Sequence, residues 1–104
     1  MKAMSRDHVL EILRHHEAEL KAAGVERLSL FGSVARGEST TNDVDVAVHL
    51  ASSFSRGGLD YFGRLELLEQ RLESLLGCEV DVVEEPVRKP RFQKEIDQDR
   101  AVAF

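Results

Sequence analysis

Phe31-Gly32-Ser33-Val34-Ala35-Arg36-Gly37, followed after a short polar stretch by Asn42-Asp43-Val44-Asp45-Val46, carries both the fold and the chemistry of this chain. Side chains on a strand alternate between faces, so residues two apart point the same way, with Cα atoms roughly 6 to 7 Å apart. A strand over Asp43–Leu50 therefore has Val44, Val46 and Val48 on one face and Asp43, Asp45, Ala47 and His49 on the other. The valines belong to a core and the aspartates to the open side. Two carboxylates on one face repel each other unless a cation lies between them. Hard oxygen donors favour Mg2+ or Mn2+ for that cation. Gly32 breaks the preceding strand, and a short helix over Ser33–Gly37 would turn backbone N–H groups toward an anion. A divalent metal beside a phosphate turn suggests nucleotide chemistry.

Outward from this stretch, hydrophobic spacing sets the other elements. Val9, Ile12, Leu13, His16 and Leu20 recur at helical steps and predict a helix over Ser5–Ala23, capped by Ser5 and stopped by Gly24. Val25–Phe31 reads as a strand with Leu28 and Leu30 on one face. Glu38–Asn42 is a polar turn, and Ala51–Gly58 a Ser/Gly-rich loop. Leucines at helical spacing predict a second long helix over Leu59–Leu76, ended by Gly77. Cys78–Val83 alternates as a third strand. Pro90 suits the first turn of a last helix over Arg91–Ala103, with Phe92, Ile96 and Val102 or Ala103 as its stripe. The order αβαβαβα gives an α/β (α+β) fold: a small mixed sheet with helices on the face of Val44, Val46 and Val48.

Asp81 stands in the middle of the third strand, where an apolar residue would cost less. If that strand lies beside Asp43–Leu50, Asp81 joins Asp43 and Asp45 on the open face. Three carboxylates can hold two divalent ions roughly 3.5 to 4 Å apart, one to activate an attacking hydroxyl and one to grip a triphosphate. The competing readings are structural: Ser33 as a helix cap, Asp81 as an edge-strand acid, His49 as a solvated strand-end residue. The closing glutamate of an EF-hand and the Gly-Lys-Ser/Thr of a P-loop are missing. His8, His15 and His16 lack a fourth ligand for zinc and read as a solvated or half-packed face. Glu66, Glu69 and Glu73 read as an exposed helical face.

The 104 residues suffice for a single domain, 1–104, and not for two. A net charge of −5 makes direct gripping of a nucleic-acid backbone a poor expectation. Cys78 is the single cysteine, so no internal disulfide can form; it reads as a small residue at a strand start. No apolar run approaches the length of a membrane helix and no signal-peptide core is apparent, so a cytoplasmic location is expected.

Gly32-Ser33-Val34-Ala35-Arg36-Gly37 with Asp43-Val44-Asp45 resembles the GSxARG…DxD signature of the DNA-polymerase-β-like nucleotidyltransferases. Along nearly the whole chain it most resembles the minimal nucleotidyltransferases, the MNT antitoxin halves of HEPN–MNT toxin–antitoxin pairs. The resemblance implies that Gly32 and Ser33 bind the β and γ phosphates and that Asp43 and Asp45 bind both metals. It implies that Asp81 completes the first metal and helps deprotonate the acceptor. Arg36 either touches phosphate or fixes the loop by a salt bridge. Asn42 departs from the serine usual before the first aspartate. By the same resemblance, ATP is the donor, Mg2+ or Mn2+ the cofactor, and a tyrosine of a HEPN toxin the acceptor of AMP. Two further readings are an antitoxin acting by occlusion alone, with Ala101-Val102-Ala103-Phe104 packed against its partner or against its own core, and nucleotidylation of a small molecule.

Overall fold

A computed structural model of the chain describes residues 5–38, 43–54 and 61–104. The expected turn as far as Asn42, the loop from Ser55 to Gly58 and the helix start at Leu59 lie outside the described residues. The elements run α1 (Arg6–His15), α2 (Glu17–Ala22), β1 (Val25–Phe31), α3 (Gly32–Ala35), β2 (Val44–Leu50), α4 (Tyr61–Leu76), β3 (Val80–Glu84), α5 (Pro90–Asp99) and β4 (Ala101–Val102), with a 3-10 turn at Ser52–Phe54. The strands form one mixed sheet in the order β3-β2-β1-β4. β1 pairs antiparallel with both β2 and β4, while β2 and β3 are parallel.

Ser5 caps α1 as expected, its side chain accepting the His8 N–H at 3.2 Å. The single expected N-terminal helix is two helices divided at His16, whose backbone is not helical (φ −104°, ψ 17°). The apolar stripe survives the break: Val9, Leu13 and Leu20 are all fully buried. They pack with Leu68, Leu72 and Leu76 of α4 against Leu28, Leu30, Val44, Val46, Val48 and Val80. The valine face of β2 therefore takes the long helices, as its alternation predicts.

The opposite face is not left open along its length. α5 lies across it, and Ile96 and Phe92 pack on Phe31, Ala47 and Val83 in a second, smaller core. Phe31 and Phe92 meet edge to face with ring centroids 5.8 Å apart. Helices thus cover both faces, α1, α2 and α4 on one side and α5 on the other.

The last helix ends at Asp99, short of the expected Ala103. Arg100 leaves the helical conformation (φ −50°, ψ 123°) because its guanidinium is drawn to Glu85 and to the Ser29 hydroxyl. The chain then runs alongside β1, pairing Val102 with Ser29 and Ala101 with Leu30. Arg14 holds this edge from the other side, donating to the Ala103 and Val102 carbonyls at 2.9 and 2.8 Å. Ala103 is buried in the main core, so the apolar chain end completes a sheet in place of the expected helical stripe. Cys78 is half-buried just before β3, which begins at Val80. Glu73 departs from the expected exposed run: its Oε2 accepts the Val80 N–H at 3.2 Å and caps the edge strand.

Candidate active site

Register brings the acids together. Parallel pairing sets Asp45 directly beside Asp81, and the antiparallel pairing on the other side sets Asp45 beside Phe31. Residues paired across a ladder share a face, so Asp45 and Asp81 project to the same side. The β2–β3 pairing continues one step further, with the Val44 N–H donating to the Glu79 carbonyl at 3.0 Å. Asp43 thereby falls beside Glu79. Asp43 and Asp45 are half-buried, and Asp81 and Glu79 exposed.

This crowding is visible in acidity. Burial, then the charges of Asp81 and Asp43, push the Asp45 carboxyl above the ordinary carboxylate range, with Arg36 pulling weakly the other way. The hydrogen bond to Asp43, then its charge, raises Glu79 likewise. Glu79 is the residue that sequence reasoning passed over; its signal was the repeat of spacing, Glu79-x-Asp81 beside Asp43-x-Asp45. Among the described residues no three carboxylate, imidazole or thiol groups already close on a common point as a metal cluster. The donors are neighbours all the same, they are all oxygen, and their mutual repulsion is what a hard divalent cation relieves. The set fits Mg2+ or Mn2+.

The Gly-Ser turn abuts this group. Gly32 has a left-handed backbone, φ +77°, and a Cβ built on it would land in the Asp45 carboxylate. Only a glycine lets the turn come this close. α3 is four residues long, closed by Arg36 N–H to the Gly32 carbonyl at 3.1 Å and Gly37 N–H to the Val34 carbonyl at 3.0 Å. No side chain caps its start, and the first N–H groups of a helix have no acceptor within it. Ser33, half-buried, stands in that first turn. Gly32→Ala should move the turn away from Asp45, at a strain on the order of 1–3 kcal/mol. The expected result is a lowered melting temperature together with at least roughly tenfold weaker nucleotide binding by calorimetry. A variant with unaltered affinity would show that the close approach is unimportant.

Arg36 is engaged by carboxylates. Its Nε donates to Glu38 Oε2 at 2.9 Å and its Nη1 to Asp99 Oδ2 at 2.8 Å. His49 shares the aspartate face but lies at the far end of β2, with Nε2 3.6 Å from the Glu85 carboxylate. There it joins a buried polar group that the sequence did not suggest: Glu85, Arg100, Gln93 and Ser29.

The model of the nucleotidyltransferase domain family matches residues 9–103. A Methanocaldococcus jannaschii protein, provisionally named a protein adenylyltransferase, is 37% identical over 102 residues, which is 95% of this chain and 96% of that one. The protein adenylyltransferase MntA of Thermococcus cleftensis is 33% identical over 85 residues, 80% of each chain. Among solved structures, a provisionally named minimal nucleotidyltransferase is 30% identical and superposes with a TM-score of 0.72 over 94% of this chain and 95% of its own. A chain from the crystal structure of a mutant toxin–antitoxin MntA-HpeT shares the fold, with a TM-score of 0.61 at 21% identity, over 97% of this chain and 73% of its own. Among the described residues no helix is long and apolar enough to cross a membrane.

Proposed function

The chain belongs to the nucleotidyltransferase domain family, and on that premise we propose that it transfers AMP from ATP to a tyrosine hydroxyl of a partner HEPN toxin and so neutralises it. The observation that carries this reading is the position of Asp45, with Gly32 against its carboxylate and Asp81 beside it in register. The adenylyl group and the protein acceptor are supported by the names of the two archaeal relatives, and the toxin partner by the assembly of the structural neighbour.

Each residue then has a task. The N–H groups at Gly32 and Ser33 bind the terminal phosphates of ATP and fix the α-phosphorus. Asp43, Asp45 and Asp81 would hold Mg2+, which neutralises the triphosphate and makes the acceptor hydroxyl more acidic. The acceptor oxygen forms a bond to the α-phosphorus, and the bond from that phosphorus to the bridging oxygen breaks. Pyrophosphate leaves with the electron pair. Asp81, the most exposed of the three, accepts the hydroxyl proton. Holding donor and acceptor together in this way replaces an unfavourable encounter with a fixed geometry.

Incubation with ATP labelled at the α-phosphate, Mg2+ and the cognate HEPN protein should put label on that protein, on tyrosine. A toxin that stays unlabelled while its toxicity is silenced would leave this chain a binder and not an enzyme.

A further inference from the structure

Two carboxylate–guanidinium pairs meet at the C-terminus of α5. Asp99, its last residue, accepts Arg36 Nη1 at 2.8 Å across 63 positions of sequence. Arg100, the next residue, clamps Glu85 just past the end of β3 and donates to Ser29 on β1. Two adjacent residues thus face opposite ways, one to the turn that begins at Gly32 and one to the sheet beneath it.

The Arg36 fork is fully directed by this arrangement. Its Nε and Nη2 face Glu38 and its Nη1 faces Asp99. A guanidinium is planar and its donors diverge at fixed angles, so two carboxylates in its plane set its orientation. The Asp99 carboxylate is 19% exposed, against 47% for the Arg36 side chain, so the aspartate is the firmer member. Arg36 in turn follows α3 directly, and its own N–H closes that helix on the Gly32 carbonyl. Moving Arg36 therefore moves the peptide groups of Gly32 and Ser33.

We propose that Asp99 is a positioning residue for nucleotide binding: through Arg36 it holds the Gly32–Ser33 turn at its distance from Asp45, and Arg36 serves as the strut and not as a phosphate ligand. This rests on the reading of Gly32 and Ser33 as the phosphate turn. α5 acquires a role by it, because the helix that covers the aspartate face also tethers the turn.

The two roles of Arg36 predict opposite signs. If Arg36 were a phosphate ligand held in reserve by Asp99, Asp99→Asn would release it and MgATP would bind more tightly. If Arg36 is a strut, Asp99→Asn loosens the turn, and MgATP should bind about three- to tenfold more weakly by calorimetry. Asp99→Glu, which keeps the charge, should recover most of the loss. A purely structural role would lower the melting temperature with the affinity unchanged. Tighter or unchanged binding by a folded Asp99→Asn protein overturns the proposal. A measurement on the unaltered chain serves if that variant does not fold. The Arg36 Nε–H resonance should keep its position when MgATP is added, and a shift with coupling to phosphorus overturns the strut. Wild-type protein that gives no heat with MgATP overturns the nucleotide reading and this one together, whereas wild-type heat with an indifferent Asp99→Asn overturns this one alone.

Discussion

Asp43→Asn combined with Asp45→Asn should lower AMP transfer by at least about a thousandfold, since two groups that act on charge in the transition state are lost together. The same protein should melt no lower than the wild type. Asparagine keeps the shape of each side chain and removes its charge. In the fold, burial and the neighbouring Asp81 and Asp43 raise Asp45 above its ordinary acidity range. A folded-state pKa above the unfolded one means that the ionised carboxylate opposes folding at neutral pH, and that this penalty fades as pH falls toward the folded value. Neutralising the pair removes the penalty outright. Activity and stability should therefore move in opposite directions, the pattern of a site kept for function at a cost in stability. Labelled transfer to the toxin and a thermal melt, run on one preparation, check both. If the double variant transfers normally, the carboxylates are not the metal site. If transfer is lost but the toxin is still neutralised at ordinary expression, occlusion accounts for the biology.

The valine–aspartate alternation of β2 was legible because a half-buried strand must sort its residues by twos, and the structure sorts them so: Val44, Val46 and Val48 are fully buried under the long helices. The meeting of Asp45 with Asp81 was a conditional expectation, resting on which strands neighbour each other, and parallel pairing supplies it. Gly32 was readable as a strand breaker. That its missing Cβ makes room for the Asp45 carboxylate is a matter of register between distant segments, which no local pattern encodes. The errors cluster where tertiary contacts override local preference. Ala103 lies seven residues from Ile96, a helical spacing, yet Arg100 is pulled out of the helix by a partner 15 residues away, and the chain end becomes a strand. α5 was expected to join the other helices; instead Ala47, small and apolar in the aspartate row, accepts Ile96 against the opposite face. Ala47 was the available clue, an uncharged residue between Asp45 and His49 on a face assumed to be wet.

Arg100→Met should destabilise the protein by about 3 kcal/mol, the largest stability loss expected from removing a single charge. The Glu85 side chain is only 2% exposed, and Arg100 meets it with two parallel donors at 2.9 and 2.5 Å. Gln93 adds a donor at 2.6 Å, and the His49 ring stands 3.6 Å away. With Arg100 gone, Glu85 remains as a buried charge with one amide and one imidazole for company, which is the expensive way to break such a pair. Removing both charges, as in Glu85→Gln with Arg100→Met, should cost markedly less than Arg100→Met alone. The pH dependence separates this from simple loss of packing. In the wild type the Arg100 hydrogen bonds, outweighing burial, hold Glu85 below its ordinary value of 4.5. Its contribution to stability is thus complete above about pH 4.5 and is lost as pH falls through the lower folded value. In Arg100→Met the balance inverts: burial raises the Glu85 pKa, protonation relieves the lone charge, and the gap to the wild type should narrow as the solution is acidified. Chemical denaturation at pH 7 and pH 5 tests the inversion. A gap that is equal at both, or a loss below about 0.5 kcal/mol, would mean that the pair behaves as an exposed salt bridge. A narrowing gap would establish that α5, and with it Asp99 beside the Gly32–Ser33 turn, is anchored to the sheet through one buried charge pair.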